Sequence, residues 1–176
     1  MFDAVGGKTS SVPPRSLQTT FARLYADVDA TMLIVTCEAA GERAGCLIGF
    51  ATQASIDPPR FLACISRKNR TFRIASQAHT LIVHLVDEQA ADLAELFGGE
   101  SGDEVDKFAQ VEWRRGPGGA PLLERLPTWF AGRVLERIPL GDHTGFLLEP
   151  IEGAARRGEQ PLRFHRARRI APGHAP

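Results

Sequence analysis

Six short apolar runs, each bounded by turn-forming residues, set the strongest constraint on how this 176-residue chain folds. Their length and their content of β-branched residues favour strands over helices. The runs are residues 31–37, 45–51, 60–66, 80–86, 129–138 and 143–149, and residues 161–164 are a candidate for a last edge strand. The regular alternation of strands and helices that a doubly wound parallel sheet needs is absent. The sequence therefore predicts a mainly β fold, one closed or nearly closed antiparallel β-barrel with flanking helices.

Helical periodicity occurs in three segments, which we expect to pack on the barrel as helices. The first is residues 16–27, where four large apolar side chains recur at helical spacing: Leu17, Phe21, Leu24 and Tyr25. The second is residues 69–78, and the third is residues 87–97, with Asp87 as the N-cap and a glycine pair as the stop. Between the strands, we expect residues 52–59 to form a long loop closed by prolines and residues 113–123 to form a turn.

The length predicts one domain, because domains average roughly 150 residues. We assign this domain to residues 15–170, with a disordered segment at residues 1–14 and a tail at residues 171–176. The chain has no run of about 18 apolar residues, and its start lacks the charged and apolar regions of a secretory signal. We therefore expect a cytoplasmic protein that does not bind membranes.

Basic and acidic residues balance at 21 each, but they are segregated along the chain. Residues 87–106 hold eight acidic residues and no Lys or Arg, whereas residues 154–176 hold six Arg and one Glu. The zero net charge excludes a protein that binds polyanions over its whole surface. The arginine-rich end would allow contact with nucleic acid, but it lacks aromatic platforms and a reader motif. We therefore expect no nucleic-acid partner.

The cysteines and histidines do not predict a metal site. Cys37, Cys46 and Cys64 are an odd number, lack CxxC spacing and lie in apolar runs, so we expect buried free thiols. The five histidines show no spacing typical of metal ligands.

The common signatures of catalysis and of phosphate-binding loops are absent from the sequence. Polar residues cluster instead at residues 52–57, 69–71 and 141–143. Asn69, Arg70 and Thr71 combine an amide, a guanidinium and a hydroxyl at the start of a predicted helix, and this set suits a phosphate. The alternative is an ordinary N-cap followed by a surface arginine. Spacing alone leaves both interpretations open.

The order of the motifs carries a resemblance to a known family. In chain order the motifs are TMLIVTC, AGCLIGFATQASIDPPRFLACISRKNRT, TLIVHL, LAELF, DKF, GGAPLL and GDHTGFLLEP, spread from about residue 17 to residue 164. This series resembles the flavin reductase-like, FMN-binding split-barrel family, the small NAD(P)H:flavin reductase components of two-component monooxygenases. The most specific parts are SxDPP at residues 55–59, SRxxxT after the next strand, and GDH at residues 141–143. The resemblance implies an antiparallel, Greek-key-like split barrel.

The resemblance also implies a set of site residues. It implies that the flavin is held mostly by backbone groups and small side chains of one continuous segment: Cys46, Leu47, Ile48, Gly49, Phe50, Ala51, Thr52, Gln53, Ala54 and Ser55. The FMN phosphate would be held by Asn69, Arg70 and Thr71, with Ser66 and Arg67 just before them. His143 takes the position of the GDH histidine, which faces the nicotinamide and orients the hydride donor or relays a proton. The alternative for His143 is a hairpin residue exposed to solvent.

The activity that the resemblance implies is hydride transfer from NADH or NADPH to a flavin, FMN or alternatively FAD. Stacking the two rings at about 3 to 3.5 Å is the main requirement, which accounts for the missing acid–base signature. The implied partners are a second copy in a homodimer and a flavin-dependent monooxygenase. The alternative function is a split-barrel electron carrier, or another cofactor-binding module, that binds FMN tightly without turning over NAD(P)H.

The chain departs from the family pattern at two places. Many members carry a hydroxyl-bearing run where this chain has residues 47–50, and a further serine where it has Gln53. Phe50 and Gln53 would supply a ring contact and an amide hydrogen bond instead. Members often carry Asn where this chain has His84, which is either a core residue with satisfied hydrogen bonds or a group that tunes the flavin.

Overall fold

A seven-stranded antiparallel sheet forms the centre of the molecule. The structure is a computed structural model that describes residues 15–170 and 173. The strands of the sheet are β1 (Leu33–Ala39), β2 (Glu42–Ile48), β3 (Ala51–Ser55), β4 (Arg60–Ser66), β5 (Thr80–Leu85), β8 (Trp129–Leu140) and β9 (His143–Ala154), and a separate hairpin holds β6 (Trp113–Arg115) and β7 (Pro121–Leu123). Within the sheet the order is β2-β1-β5-β8-β9-β4-β3. The prediction of a mainly β, antiparallel fold is confirmed.

The described chain contains four α-helices: α1 (Arg15–Ala26), α2 (Arg70–Ala75), α3 (Ala91–Gly99) and α4 (Phe164–Ala167). The predicted cap at Asp87 is present, and its side chain accepts a hydrogen bond from the backbone N–H of Gln89 at 2.8 Å. It caps the 3-10 turn Glu88–Ala90, which leads into α3. Among residues 15–170, none of the helices has both the length and the apolar character needed to cross a membrane.

Apolar side chains are buried on both sides of the sheet. One cluster fills the interior of the barrel, where Val35, Leu81 and Phe146 are fully buried. A second cluster lies between the sheet and the helices, with Ile34 and Phe97 at its centre. Because alternate side chains of a strand point to opposite faces, β1 contributes to both clusters.

The barrel is split between β2 and β3. These strands are the two edges of the sheet, yet they follow each other along the chain and are joined only by Gly49 and Phe50. The chain therefore passes directly from one free edge to the other, and both edges meet at this connection.

Three predicted elements were wrong. Residues 52–59 are not one long loop, because Ala51–Ser55 forms β3, an edge strand whose exposed side chains lack the apolar alternation that reveals a strand. Residues 113–123 are not a simple turn but the β6–β7 hairpin around a 3-10 turn. Residues 161–164 form only isolated bridges to Asp87 and Thr31, and Phe164 already begins α4. The predicted disordered segment 1–14 and most of the predicted tail 171–176 lie outside the described residues.

Candidate functional site

The predicted flavin-binding segment, residues 46–55, spans the split in the barrel. It comprises the end of β2, the Gly49–Phe50 connection and all of β3. On β3 one side of the backbone pairs with β4, and the other side belongs to the free edge. The register between β3 and β4 shifts between Gln53 and Ser55, which bends the edge. An edge backbone offers N–H donors and C=O acceptors to a ligand.

Side chains of this segment divide by the direction in which they point. Cys46 and Ile48 are buried in the interior of the barrel, and Leu47 packs on the other face beside Gly98 of α3. These three residues can reach a cofactor only through their backbone. Exposed or half-exposed residues follow from residue 49 onward: Gly49, Phe50, Ala51, Thr52, Gln53, Ala54 and Ser55.

The exposed polar side chains of β3 hydrogen-bond locally. The Gln53 amide donates to the carbonyl of Ser55 at 3.2 Å, and the Thr52 hydroxyl donates to the carbonyl of Gln53 at 3.3 Å. A flavin presents a fixed edge of hydrogen-bond donors and acceptors, which backbone groups and amides can match. The residues present on β3 therefore fit a flavin ring in their chemistry.

His143 lies beside this segment because of strand pairing. β4 pairs with β9 so that Ser66 is opposite His143, and the Cys64 N–H on β4 donates to the Phe50 carbonyl at 2.9 Å. The rings of Phe50 and His143 are 5.2 Å apart between centroids. The predicted flavin segment and the predicted catalytic histidine thus come together in the folded chain.

The imidazole of His143 is oriented by its neighbour in the β8–β9 turn. Gly141, with a φ of +79°, and Asp142 form this two-residue turn. His143 Nδ1 lies 2.8 Å from Asp142 Oδ1, and this hydrogen bond lowers the pKa of Asp142. With Nδ1 donating to the carboxylate, Nε2 is the ring nitrogen available to a ligand.

The predicted phosphate-binding residues fall into two groups. Ser66 and Arg67 lie next to His143, since the Arg67 N–H donates to the Asp142 carbonyl at 2.9 Å. Asn69 instead caps α2, and its side-chain oxygen accepts from the Thr71 N–H at 2.9 Å. Thr71 itself is buried beside Cys46. The N-cap interpretation is therefore correct for Asn69, and phosphate binding by the set stays a prediction.

Arg70 is occupied by contacts within the chain. Its guanidinium donates to Glu42 Oε2 at 2.7 Å and to the Arg43 carbonyl at 3.0 Å, and it lies 3.7 Å from Asp103. Arg70 and Thr71 open onto a cavity of about 370 Å³ between the β1–β2 hairpin and residues 102–108. A phosphate bound by Arg70 would have to compete with Glu42 for the guanidinium.

The acidic stretch 87–106 finds arginine partners within the same chain. Asp103 pairs with Arg73 as well as lying near Arg70, and Asp92 makes a bidentate pair with Arg125, with N···O distances of 2.5 and 3.0 Å. The hydrogen bond from Arg125 lowers the pKa of Asp92. Much of the charge segregation seen in the sequence is thus neutralised by folding.

His84 is a core histidine with both ring nitrogens engaged. It is fully buried, its Nδ1 lies 3.1 Å from the Ile34 carbonyl, and its Nε2 accepts from the Leu123 N–H at 3.1 Å. Burial lowers the pKa of His84 to about 4, so the ring is neutral at pH 7. It joins the β6–β7 hairpin to the sheet, which is the structural alternative foreseen for this residue.

The three cysteines are free, as expected. Cys37 and Cys46 are buried, whereas Cys64 is only half-buried. Burial raises the pKa of the Cys46 thiol to about 11. At neutral pH this thiol is protonated and unreactive.

Two residues near the site carried no functional signal in the sequence. Tyr25 of α1 lies with its ring 6.2 Å from the Phe50 ring. The prediction that the apolar face of α1 packs on the barrel was wrong, because all four of its large apolar side chains are exposed: Leu17, Phe21, Leu24 and Tyr25. Lys107 is buried, and its ammonium donates to the Phe97 carbonyl at 3.0 Å, while burial lowers its pKa. Contacts between distant segments decide both placements, so no local pattern could reveal them.

Comparison with known proteins identifies related chains. The family model for the flavin reductase like domain matches residues 25–172. A probable flavin reductase of Rhizobium meliloti (strain 1021) is 28% identical over 130 residues, which are 74% of this chain and 40% of that protein. FMN reductase (NADH) RutF 1 of Methylorubrum extorquens (strain PA1) is 30% identical over 169 residues, covering 96% of this chain and 81% of that protein.

Solved structures share the fold. The NADH:FAD oxidoreductase SgcE6 of Streptomyces globisporus C-1027 superposes with a TM-score of 0.75 at 22% identity, covering 87% of this chain and 91% of that one. Some relatives are much longer, and the chain spans only 40% and 56% of the length of two curated relatives from Rhizobium meliloti.

Proposed function

The chain belongs to the family of flavin reductase-like domains, and from that membership we propose that it is an NAD(P)H:flavin oxidoreductase. Its flavin would be FMN, with FAD as the other candidate, and its hydride donor NADH or NADPH. The observation that carries the proposal is the meeting of the two free sheet edges beside His143. There the connection between the two edges, at Phe50, lies against the oriented imidazole of His143.

The flavin, when bound, accepts the hydride and passes the electrons on. The protein's part is to bind and orient the rings, which is why it needs no strong acid or base. We assign flavin binding to the backbone of residues 46–55 and to the side chains of Thr52 and Gln53. Their exposure on an edge strand and their hydrogen-bonding chemistry support this assignment.

His143 is the proposed catalytic residue. Its Nδ1 is held by Asp142, so its Nε2 would hydrogen-bond the donor or relay a proton. Ser66 and Arg67 border His143 and are well placed to bind a phosphate there. Asn69, Arg70 and Thr71 would take part only if the contacts of Arg70 with Glu42 rearranged.

We further propose that residues 15–170 are a split-barrel domain that acts as a homodimer in the cytoplasm. A monooxygenase component is the proposed acceptor of the reduced flavin. A relative from Rhizobium meliloti named Stachydrine N-demethylase reductase subunit Stc3, 28% identical over 136 residues, supports a role beside a partner enzyme.

Rapid mixing of the purified protein and FMN with NADH or NADPH, without oxygen, tests the proposal. We expect loss of flavin absorbance with at least one nucleotide. The absorption spectrum and mass of a copurified cofactor would identify the flavin. A protein that neither binds flavin nor oxidises NAD(P)H in its presence would refute the proposal. A protein that binds FMN but is reduced by neither nucleotide would instead be the electron carrier.

A further inference from the structure

A row of aromatic rings connects helix α1 with His143. The Phe21 and Tyr25 rings stack at 5.9 Å, Tyr25 meets Phe50 edge-on at 6.2 Å, and Phe50 lies tilted against His143 at 5.2 Å. These are the distances at which aromatic rings attract each other. Helix α1 therefore reaches the candidate site through its aromatic side chains.

Phe50 is a large apolar residue whose ring lies outside the hydrophobic core. Half of its surface is exposed, and its backbone is fixed by the hydrogen bond from the Cys64 N–H to its carbonyl. The rings of Tyr25 and His143 both contact it, at 6.2 and 5.2 Å between centroids. An oriented apolar ring that stays half exposed offers a flat surface to a ligand.

We propose that the Phe50 ring is the platform on which the nicotinamide of the hydride donor stacks, and that Tyr25 positions this platform. This inference rests on the proposed function. It separates the two parts of Phe50, whose backbone belongs to the flavin-binding segment and whose ring serves the donor. Phe50 thus contacts the donor directly, whereas Tyr25 is a positioning residue that makes helix α1 a part of the nucleotide site.

The chemistry of the nicotinamide supports this role for the ring. Hydride transfer requires one face of the nicotinamide against the flavin, and the opposite face stays in water unless the protein covers it. The oxidised ring carries a positive charge, which the face of an aromatic ring attracts. The platform should therefore bind the oxidised nucleotide as well as the reduced one, and binding of NAD⁺ or NADP⁺ gives a readout independent of turnover.

The test compares Phe50→Leu, which removes the aromatic face, with Phe50→Tyr, which keeps it. Ile151→Ala, at an exposed apolar position of β9, is the control for loss of surface apolar area. Calorimetric titration with NAD⁺ and NADP⁺, fluorescence titration with FMN, and steady-state kinetics are measured for each variant. Thermal melting establishes that each one is folded.

We expect Phe50→Leu to weaken binding of the oxidised nucleotide and to raise the KM of the reduced one, each by about three- to tenfold. FMN affinity should stay within about twofold, Phe50→Tyr should recover most of the nucleotide affinity that Phe50→Leu loses, and Ile151→Ala should match the parent protein. Tyr25→Leu should weaken nucleotide binding in the same direction but less.

Three results would overturn the inference. The first is unchanged nucleotide affinity in Phe50→Leu, and the second is an equal loss of FMN affinity, which would make the ring a flavin contact. If the parent protein does not reduce flavin, the proposed function fails, but the titrations still decide the role of Phe50. A parent protein that binds neither oxidised nucleotide would overturn the inference directly.

Discussion

Acid should destabilise this protein through His84 over a pH window that begins well above the pH at which carboxylates protonate. Burial holds the pKa of His84 at about 4 in the folded chain, against 6.5 for a free histidine. Above the unfolded pKa the ring is neutral in both states and its stabilising contribution is complete. Between the two values the unfolded chain binds the proton and the folded chain does not, so stability falls as the pH falls. A difference of about 2.5 pKa units corresponds to a loss of roughly 3 kcal/mol by about pH 4.

The structure gives the physical reason for this loss. His84 Nε2 accepts a hydrogen bond from the Leu123 N–H. A proton on Nε2 would remove this bond, because the ring N–H and the Leu123 N–H would then be two donors facing each other. The buried site holds no water-exposed surface to solvate the resulting charge. Protonation should therefore detach the β6–β7 hairpin from the sheet before or together with global unfolding.

Urea unfolding at a series of pH values from about 7 to about 4 measures the effect. His84→Asn cannot titrate, so the pH dependence of its stability should be shallower. The same substitution at exposed His79 controls for the chemical change itself. Asp92 and Asp142, whose pKa values are lowered, are present in the parent protein and in both variants. Their contribution to the pH dependence therefore cancels when the stabilities of the variants are compared with that of the parent. Parallel pH profiles for the parent protein and His84→Asn would refute the reasoning.

Three further substitutions test the site and the fold. His143→Asn should lower kcat/KM for NADH by roughly 10- to 100-fold while leaving the FMN dissociation constant unchanged, and an unchanged kcat/KM would exclude it from catalysis. Glu42→Gln removes the anion 2.7 Å from Arg70 and should tighten FMN binding by about two- to fivefold without affecting riboflavin, which lacks the phosphate. An equal gain for riboflavin in fluorescence titrations would show that Arg70 does not bind the phosphate. Gly132→Ala would place a methyl group 2.8 Å from Leu148 Cβ and should destabilise the fold by about 1 to 3 kcal/mol in thermal melting, whereas an unchanged melting temperature would mean that β8 can shift freely.

The parts of the fold that the sequence predicts well are those whose side chains alternate between core and surface. β4 occupies the predicted residues 60–66, and the predicted segment 80–86 contains β5. β3 was missed because none of its side chains is fully buried, so burial imposes no apolar period on it. Residues 161–164 were wrongly predicted as an edge strand because Leu162 is buried, but it is buried by packing against the helices and is not part of a strand of the sheet.

The sequence predicts the candidate site as a set of residues, which stays a prediction, but it does not predict how those residues are arranged. The motif order pointed to residues 46–55 and to His143, and the pairing of β4 with β9 brings them together. The pairing of Arg70 with Glu42, 28 residues away, depends on how α2 docks on the β1–β2 hairpin, and no local pattern carries that information. The contact of Tyr25 with Phe50 is of the same kind, because the helical period of α1 predicted a buried face, whereas the helix leaves that face exposed and meets Phe50 through the Tyr25 ring.

The edge strand β3 belongs to the predicted flavin-binding segment, yet its exposed side chains contribute little to the stability of the fold. Thr52, Gln53 and Ala54 are exposed and contribute nothing to either apolar cluster, so replacing them should change folding free energy by only about 0.5 kcal/mol. They nevertheless belong to the segment, residues 46–55, to which we assign flavin binding. A library randomised at these three positions should therefore stay folded almost throughout while sampling different cofactor and donor preferences. Mutational tolerance of this kind lets one barrel acquire new ligand specificity without compensating changes elsewhere.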